Sequence, residues 1–477
     1  MAENYRADTV FARLGDENGA PHYDLVEPAE FPEHILRYRN QRWAARVGLA
    51  SLSDDAWIRH FGRFEPLPDN LTQPLAIRYH GHQFRTYNPD IGDGRGFLYA
   101  QLRDDQDRLL DLGTKGSGQT PYSRFGDGRL TLKGGVREIL ATEMLEALGV
   151  YTSKSFSLIE TGEALQRQDE PSPTRSSVLV RLSHSHVRFG VFQRLAFEKN
   201  ENAIAALIDY CIENYFPALS TPGDSNVIGF YTSVIQHTAR LVAQWMAAGF
   251  VHGVLNTDNM NVTGESFDYG PWRFAPTADP GFTAAYFDQT GLYSFGRQAE
   301  AGAWNLAQLG GALAQQADVD ALNKTLQLFS GFYETAMADA YFERLGLKRT
   351  GADDFKFVVD FLKWMTETGA PYEQVFFDWF CGAASVDRAD HSAVAELYQQ
   401  EKFASLKSRL LQYTPINPER LESRYFQNAG PCTMLIDEVE AIWAPIAEKD
   451  DWSAFERKLE AIAGMRDAYQ FNASRYA

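Results

Sequence analysis

An α+β chain of two lobes, the first mostly strands and the second mostly helices, is predicted from three features of the sequence. Residues 74–197 carry short β-rich or alternating apolar runs, one amphipathic helix is set among them, and beyond residue 197 apolar residues recur mainly at helical spacing. With 477 residues, 44% apolar and 13% aromatic, the chain can bury a core large enough for both lobes.

In chain order, residues 1–73 carry no chemical motif and are expected to form an N-terminal segment packed on the core. Strands are predicted over 74–197 from GFLYAQL, RLLDLGTK, SFSLIET, SVLVRLS and VFQRLAF. Between them, GGVREILATEMLEALGV places Val136, Ile139, Leu140, Met144, Ala147 and Leu148 on one helical face, with Gly149 as its stop. Residues 198–345 should form the helical lobe, opening with a long helix from Val227 to about Gly249, and residues 346–477 a C-terminal helical extension closed by WSAFERKLEAIAGM.

The composition narrows the function. A net charge of −18 argues against nucleic acid as a partner and leaves small molecules or proteins. No run approaches the apolar length of a membrane helix, and MAENYRADTVFARLGDENG lacks a basic segment followed by an apolar one, so a cytoplasmic monomer is expected. Cys211, Cys381 and Cys432 are too scattered for a disulfide framework or a thiolate zinc site and read as buried apolar side chains.

Three segments could carry chemistry. In IGDGRGF, Gly92, Gly94 and Gly96 with Arg95 precede a strand, as a phosphate-approaching loop requires, although Asp-Gly is also an ordinary hairpin turn. Lys115 ends a strand, and Glu138 follows 23 residues later in the amphipathic helix, the arrangement by which kinases fix a lysine on phosphates. In HGVLNTDN, after the long helix, His252, Leu255 and Asn259 match the kinase catalytic loop H-R-D-L-x-x-x-N, and Asp268-Tyr269-Gly270, in a strand-like FDYGP, match its metal-binding D-F-G. A protein-kinase-like two-lobed fold and a metal-dependent, ATP-using transferase follow. The kinase base is missing: Val254 stands in its place, and Asp258 offers a carboxylate from another point of the loop. Arg181 and Arg188, with Arg124 and Arg129, suit polyphosphate oxygens or simple surface solvation. His80, His82, His184 and His186 have HxH spacing but no accompanying carboxylate signature, which favours structural roles.

The segments YHGHQF, IGDGRG, KGSGQTPYSRFGDGRLTLKGGVREIL, VRLSHSHVRFG, GFVHGVLNTDNMNVTGESFDYGP and WNLAQL resemble the selenoprotein O family of pseudokinase-fold protein adenylyltransferases. The resemblance implies transfer of AMP from ATP to Ser, Thr or Tyr hydroxyls of proteins, with the nucleotide inverted relative to kinases and pyrophosphate leaving. It implies nucleotide contacts from Gly92, Gly94, Arg95, Lys115, Asp127, Gly128, Arg181, Arg188 and Asp268, and a Glu138 pair for Lys115. It further implies Mg²⁺ or Mn²⁺ on Asn259 and Asp268, and Asp258 as base. Two positions depart from the family: Arg85 stands where glycine is usual, and no cysteine follows Cys432, so redox control from the C-terminus is not expected. The rival readings are a UTP-using enzyme, a true kinase using Asp258, and an inactive nucleotide-binding scaffold.

Overall fold

The computed structural model describes residues 4–16, 19–168, 170–219 and 226–471; the terminal NASRYA lies outside them. One antiparallel sheet dominates the first lobe, with strands in the order Tyr23–Leu25, Leu75–Ile77, Leu98–Arg103, Leu109–Lys115, Thr174–Ser183, Lys154–Leu165 and Ile35–Arg39. Ala7–Asp8 and Leu130–Thr131 pair alongside it, so strands from the first 73 residues share the sheet that carries Lys115 and Arg181.

Strand alternation divides the apolar side chains between two cores. Leu110, Leu112, Val178, Val180 and Leu182 pack on one face with Trp57, Phe61 and Phe156. Leu109 and Leu179 point to the other, where the helix Leu132–Ala147 buries Val136, Ile139 and Leu140. That helix starts where the Thr131 side chain accepts the Gly134 N–H at 3.1 Å, and Gly149, at φ +82°, turns the chain away after it.

The second lobe is helical, with Val227–Ala247 at its centre against Gln298–Leu313 and Phe329–Arg344. Together the lobes make the protein-kinase-like two-lobed arrangement. The segments VFQRLAF and FDYGP differ from expectation. VFQRLAF is not a strand: Phe189–Phe197 is a helix, burying Phe189, Phe192 and Leu195 at three-residue steps against Gln298–Leu313. A short apolar run does not fix its own period, and packing against another helix decides it. FDYGP is not extended, because Asp268 takes φ +63°; the strand comes later, Arg273–Phe274 paired with Phe250–Val251.

The helix Ser453–Tyr469 returns to the first lobe. Arg466 donates to Glu143 Oε2 at 2.8 Å, and the same carboxylate receives Tyr38 Oη at 3.0 Å and Asn40 Nδ2 at 3.1 Å. The helix bearing Glu138 is thereby gripped from behind by both early and late parts of the chain.

Candidate active site

The strands Leu109–Lys115 and Thr174–Ser183 pair with Lys115 opposite Leu179 and Gly113 opposite Arg181. Arg181 therefore shares the face of Leu179, toward the helix Leu132–Ala147, and its Nη1 lies 3.3 Å from Glu138 Oε1. Lys115 Nζ donates to Glu138 Oε2 at 2.6 Å and reaches Asp268 Oδ1 at 2.8 Å; Arg181 Nη1 reaches the same Asp268 oxygen at 3.3 Å. Two cations and two carboxylates thus close a buried cluster. Burial alone would raise the Asp268 pKa, but Lys115, Arg181 and Arg188 outweigh it and hold the carboxyl well below the usual range.

Arg188 is buried beside this cluster. Its Nη1 donates to Tyr79 Oη at 2.9 Å, its Nη2 to Asp93 Oδ1 at 3.1 Å, and its guanidinium lies 4.5 Å from the Tyr79 ring centre and 5.0 Å from that of Phe267. Burial works against its charge, yet Tyr79, Asp93, Asp268 and Asp258 keep it firmly protonated. Asp258 is 8% exposed, and among the described residues its Oδ1 has no hydrogen-bond partner. Burial pushes its pKa up to about 6, with Arg188 opposing. Asn259 Nδ2 donates to the Val254 carbonyl at 3.0 Å, which leaves its Oδ1 as acceptor. His252 Nε2 sits 3.0 Å from the Phe267 carbonyl, and Asn305 of WNLAQL holds the Leu255 carbonyl at 2.8 Å, so the loop is anchored at its start and its middle.

Gly92, Gly94, Arg95, Lys115, Asp127 and Gly128 line a cavity of ≈ 680 Å³ together with Arg181, Arg188, Asp258 and Asp268. Asn259 and Glu138 are not on its wall: the first is tied to Val254, and the second lies behind Lys115. The close approach of the two loops demands glycine. A Cβ on Gly96 would stand 2.1 Å from the Thr114 carbonyl oxygen, and Gly128, at φ +70°, would clash with the Gly118 carbonyl at 2.3 Å. Asp127 is occupied by Arg167, at 2.8 and 3.1 Å, which lowers its pKa although partial burial opposes this.

The donors fit a hard divalent cation. Asp268 and the Asn259 amide would supply its protein oxygens, and the partnerless Asp258 Oδ1 marks a further unsatisfied acceptor, left open to take a proton. Among the described residues, no group of three or more His, Cys, Asp or Glu side chains could hold a metal ion.

A family model described as protein adenylyltransferase SelO matches residues 7–463. The chain belongs to this family. It is therefore an enzyme of the nucleotidyltransferase class, which works on a nucleotide with a divalent metal. The chain is 44% identical to the protein nucleotidyltransferase YdiU of Synechocystis sp., over 96% of this chain and 98% of that protein. It is 45% identical to the YdiU of Gloeobacter violaceus, over 97% and 95%. Among solved structures, ROP2 of Toxoplasma gondii, titled a virulence factor with a protein-kinase fold and no enzymatic activity, matches at 9% identity over 71% of this chain and 82% of its own. Its TM-score is 0.24, too low to add to the fold argument.

Sequence reasoning missed Tyr79, Asp93 and Phe267, which orient Arg188. Asp93 had a signal, a carboxylate between two glycines of the loop; the two aromatics had none, since only the fold brings them to Arg188. The histidine rings all have partners: His80 meets Tyr87 Oη at 2.8 Å, His82 meets Gln193 at 2.7 Å, His184 meets Tyr151 Oη at 2.6 Å and His186 lies 3.3 Å from Asp111. Cys211 and Cys381 are buried and Cys432 half-buried. Arg85 takes φ +63° in a tight hairpin, a conformation costing about 1 kcal/mol for a side-chain-bearing residue. Its ion pair with Glu300 at 2.6 Å and the Trp304 ring at 5.5 Å offset that cost.

Proposed function

We propose that the chain transfers AMP from ATP to Ser, Thr or Tyr hydroxyls of proteins and releases pyrophosphate. The observation carrying this reading is that Lys115, Arg181 and Arg188 converge on one cavity lined also by Asp258 and Asp268, while Val254 occupies the place of a kinase base. Three cations there match the charge of a leaving pyrophosphate better than that of a γ-phosphate handed to an acceptor.

A bound Mg²⁺ or Mn²⁺, held by Asp268 and Asn259, would neutralise triphosphate charge. The residues of the chain do the rest. Asp258 takes the proton of the attacking hydroxyl on the unpartnered Oδ1, and with its pKa near 6 it is ionised at neutral pH yet a stronger base than an ordinary aspartate. The hydroxyl oxygen bonds to the α-phosphorus as the α–β bridging bond breaks, its electron pair leaving with pyrophosphate. Lys115, Arg181 and Arg188 receive that charge, with Glu138 aiming the first two and Asp93 the third.

The test is incubation with metal and ATP labelled at the α- or γ-phosphate, alongside α-labelled UTP. Protein label from α-labelled ATP, lost in Asp268→Ala, is expected. Label from the γ-position would make the enzyme a kinase, preference for UTP a uridylyltransferase, and nucleotide binding with no label a scaffold.

A further inference from the structure

Beside the nucleotide cavity runs a second, open groove of ≈ 700 Å³, bounded by the helix Leu132–Ala147, the segment after Asp268 and the helix Ile436–Lys449. Arg95 and Lys115 belong to the walls of both. Several cations of the groove are spoken for: Lys133 by Glu440 at 2.7 Å, and Arg129 by Glu163 at 2.8 Å. Arg137 and Arg273, both half-buried, and the exposed Arg95 form no ion pair within 4 Å among the described residues, Glu440 acting on Arg137 only from beyond that distance. Arg137 has only the Trp272 carbonyl at 3.2 Å and the Trp272 ring at 4.8 Å, and burial, abetted by Arg273 against Glu440, lowers its pKa. On the rim stand Tyr286, 83% exposed, and Phe287, 47% exposed.

An uncompensated guanidinium in a half-buried groove is costly unless an anion joins it. ATP accounts for Arg95, which also lines its cavity, but not for Arg137 and Arg273, since its phosphates already have Lys115, Arg181 and Arg188 and neither of these two arginines lines that cavity. Cations spread along an open groove, with exposed aromatic rings at the edge, fit an extended chain carrying carboxylates and an apolar side chain. In a protein of net charge −18, such a groove is also a local attractor in a repelling surface, which favours specificity.

We propose that this groove docks the protein acceptor through an acidic segment flanking the hydroxyl to be modified. The proposal rests on the reading above only in taking the acceptor to be a protein. Its test needs no turnover: anisotropy of a fluorescein-labelled peptide with Asp and Glu around one Ser, against the same peptide with Asn and Gln. The acidic peptide should bind more tightly, weaken roughly tenfold in Arg273→Glu, and weaken further in high salt, while ATP affinity stays within about twofold. Arg137→Met serves as a second variant, and thermal melts report whether each is folded. Equal binding of the neutral peptide, or no response to either substitution, overturns the proposal; so does loss of ATP affinity instead, which would give the groove to the nucleotide. Acidic-peptide binding without α-label transfer would sink the adenylyl reading and leave the groove standing, whereas transfer without acidic preference would do the reverse.

Discussion

Replacing Glu138 by Gln tests the charge cluster most directly. In the native cluster Lys115 and Arg181 face Glu138 and Asp268, with side-chain exposures of 5%, 5%, 1% and 26%. The amide in Glu138→Gln would keep the size but leave two cations to one carboxylate. Removing one partner of a buried pair costs about 3–5 kcal/mol. Because Asp268 Oδ1 still stands 2.8 Å from Lys115 and 3.3 Å from Arg181, the low end, about 3 kcal/mol, is expected. Both cations then draw on Asp268 alone, which turns it from metal and phosphate, and α-label transfer should fall on the order of a hundredfold. Urea denaturation followed by the fluorescence of the nine tryptophans gives the first number, and single-turnover labelling the second. Transfer within twofold of the parent, despite the loss of stability, would refute the view that Glu138 aims Lys115 and Arg181.

A Cβ at Gly81 would stand 2.9 Å from Asp258 Oδ1 and 3.2 Å from its Cβ, so Gly81→Ala should cut transfer at least roughly tenfold while costing under about 1.5 kcal/mol in denaturation; an unchanged rate would remove Asp258 from the chemistry. Burial pushes the His184 pKa down to about 3 from 6.5. The unfolded chain therefore binds the proton first, so this contribution to stability is present above pH 6.5 and is lost as pH falls toward 3, amounting to about 1.4 kcal/mol by pH 5.5. His184→Gln should flatten that part of the stability–pH curve, and an unaltered slope would contradict the assignment. Chelation with EDTA should abolish label transfer while leaving the far-ultraviolet circular dichroism unchanged, and Mg²⁺ or Mn²⁺ should restore it; transfer persisting in EDTA would sink the metal reading.

Much of the site was legible because order and spacing along the chain encode it. Lys115 at a strand end, Glu138 on the following helix and HGVLNTDN after a long helix are local patterns, and each lies where its pattern predicted a strand, a helix or a loop. The partners of Arg188 were not legible. Tyr79, Asp93 and Phe267 come from three separate segments and carry no periodic or motif signal toward Arg188. The mistaken strand at VFQRLAF has the same origin: seven residues of β-branched and aromatic character do not determine their own period, and the neighbouring helix Gln298–Leu313 does. The groove beside the candidate cavity was equally hidden, because Arg137 and Arg273 are ordinary arginines until the fold leaves them without an ion pair.

The contact between Arg466 and Glu143 spans 323 residues of sequence. During synthesis the helix Leu132–Ala147 leaves the ribosome long before the segment that grips its rear face. Translation at about 5–20 residues per second separates the two by roughly 15 to 65 seconds. For that interval Glu143 lacks one of its partners, and the rear face of the helix has at this carboxylate only the early segment containing Tyr38 and Asn40, while its other face already packs on the strands Lys154–Leu165 and Thr174–Ser183. A nascent chain stalled before residue 453 thus has every side chain of the candidate site but not the Arg466 contact behind its helix.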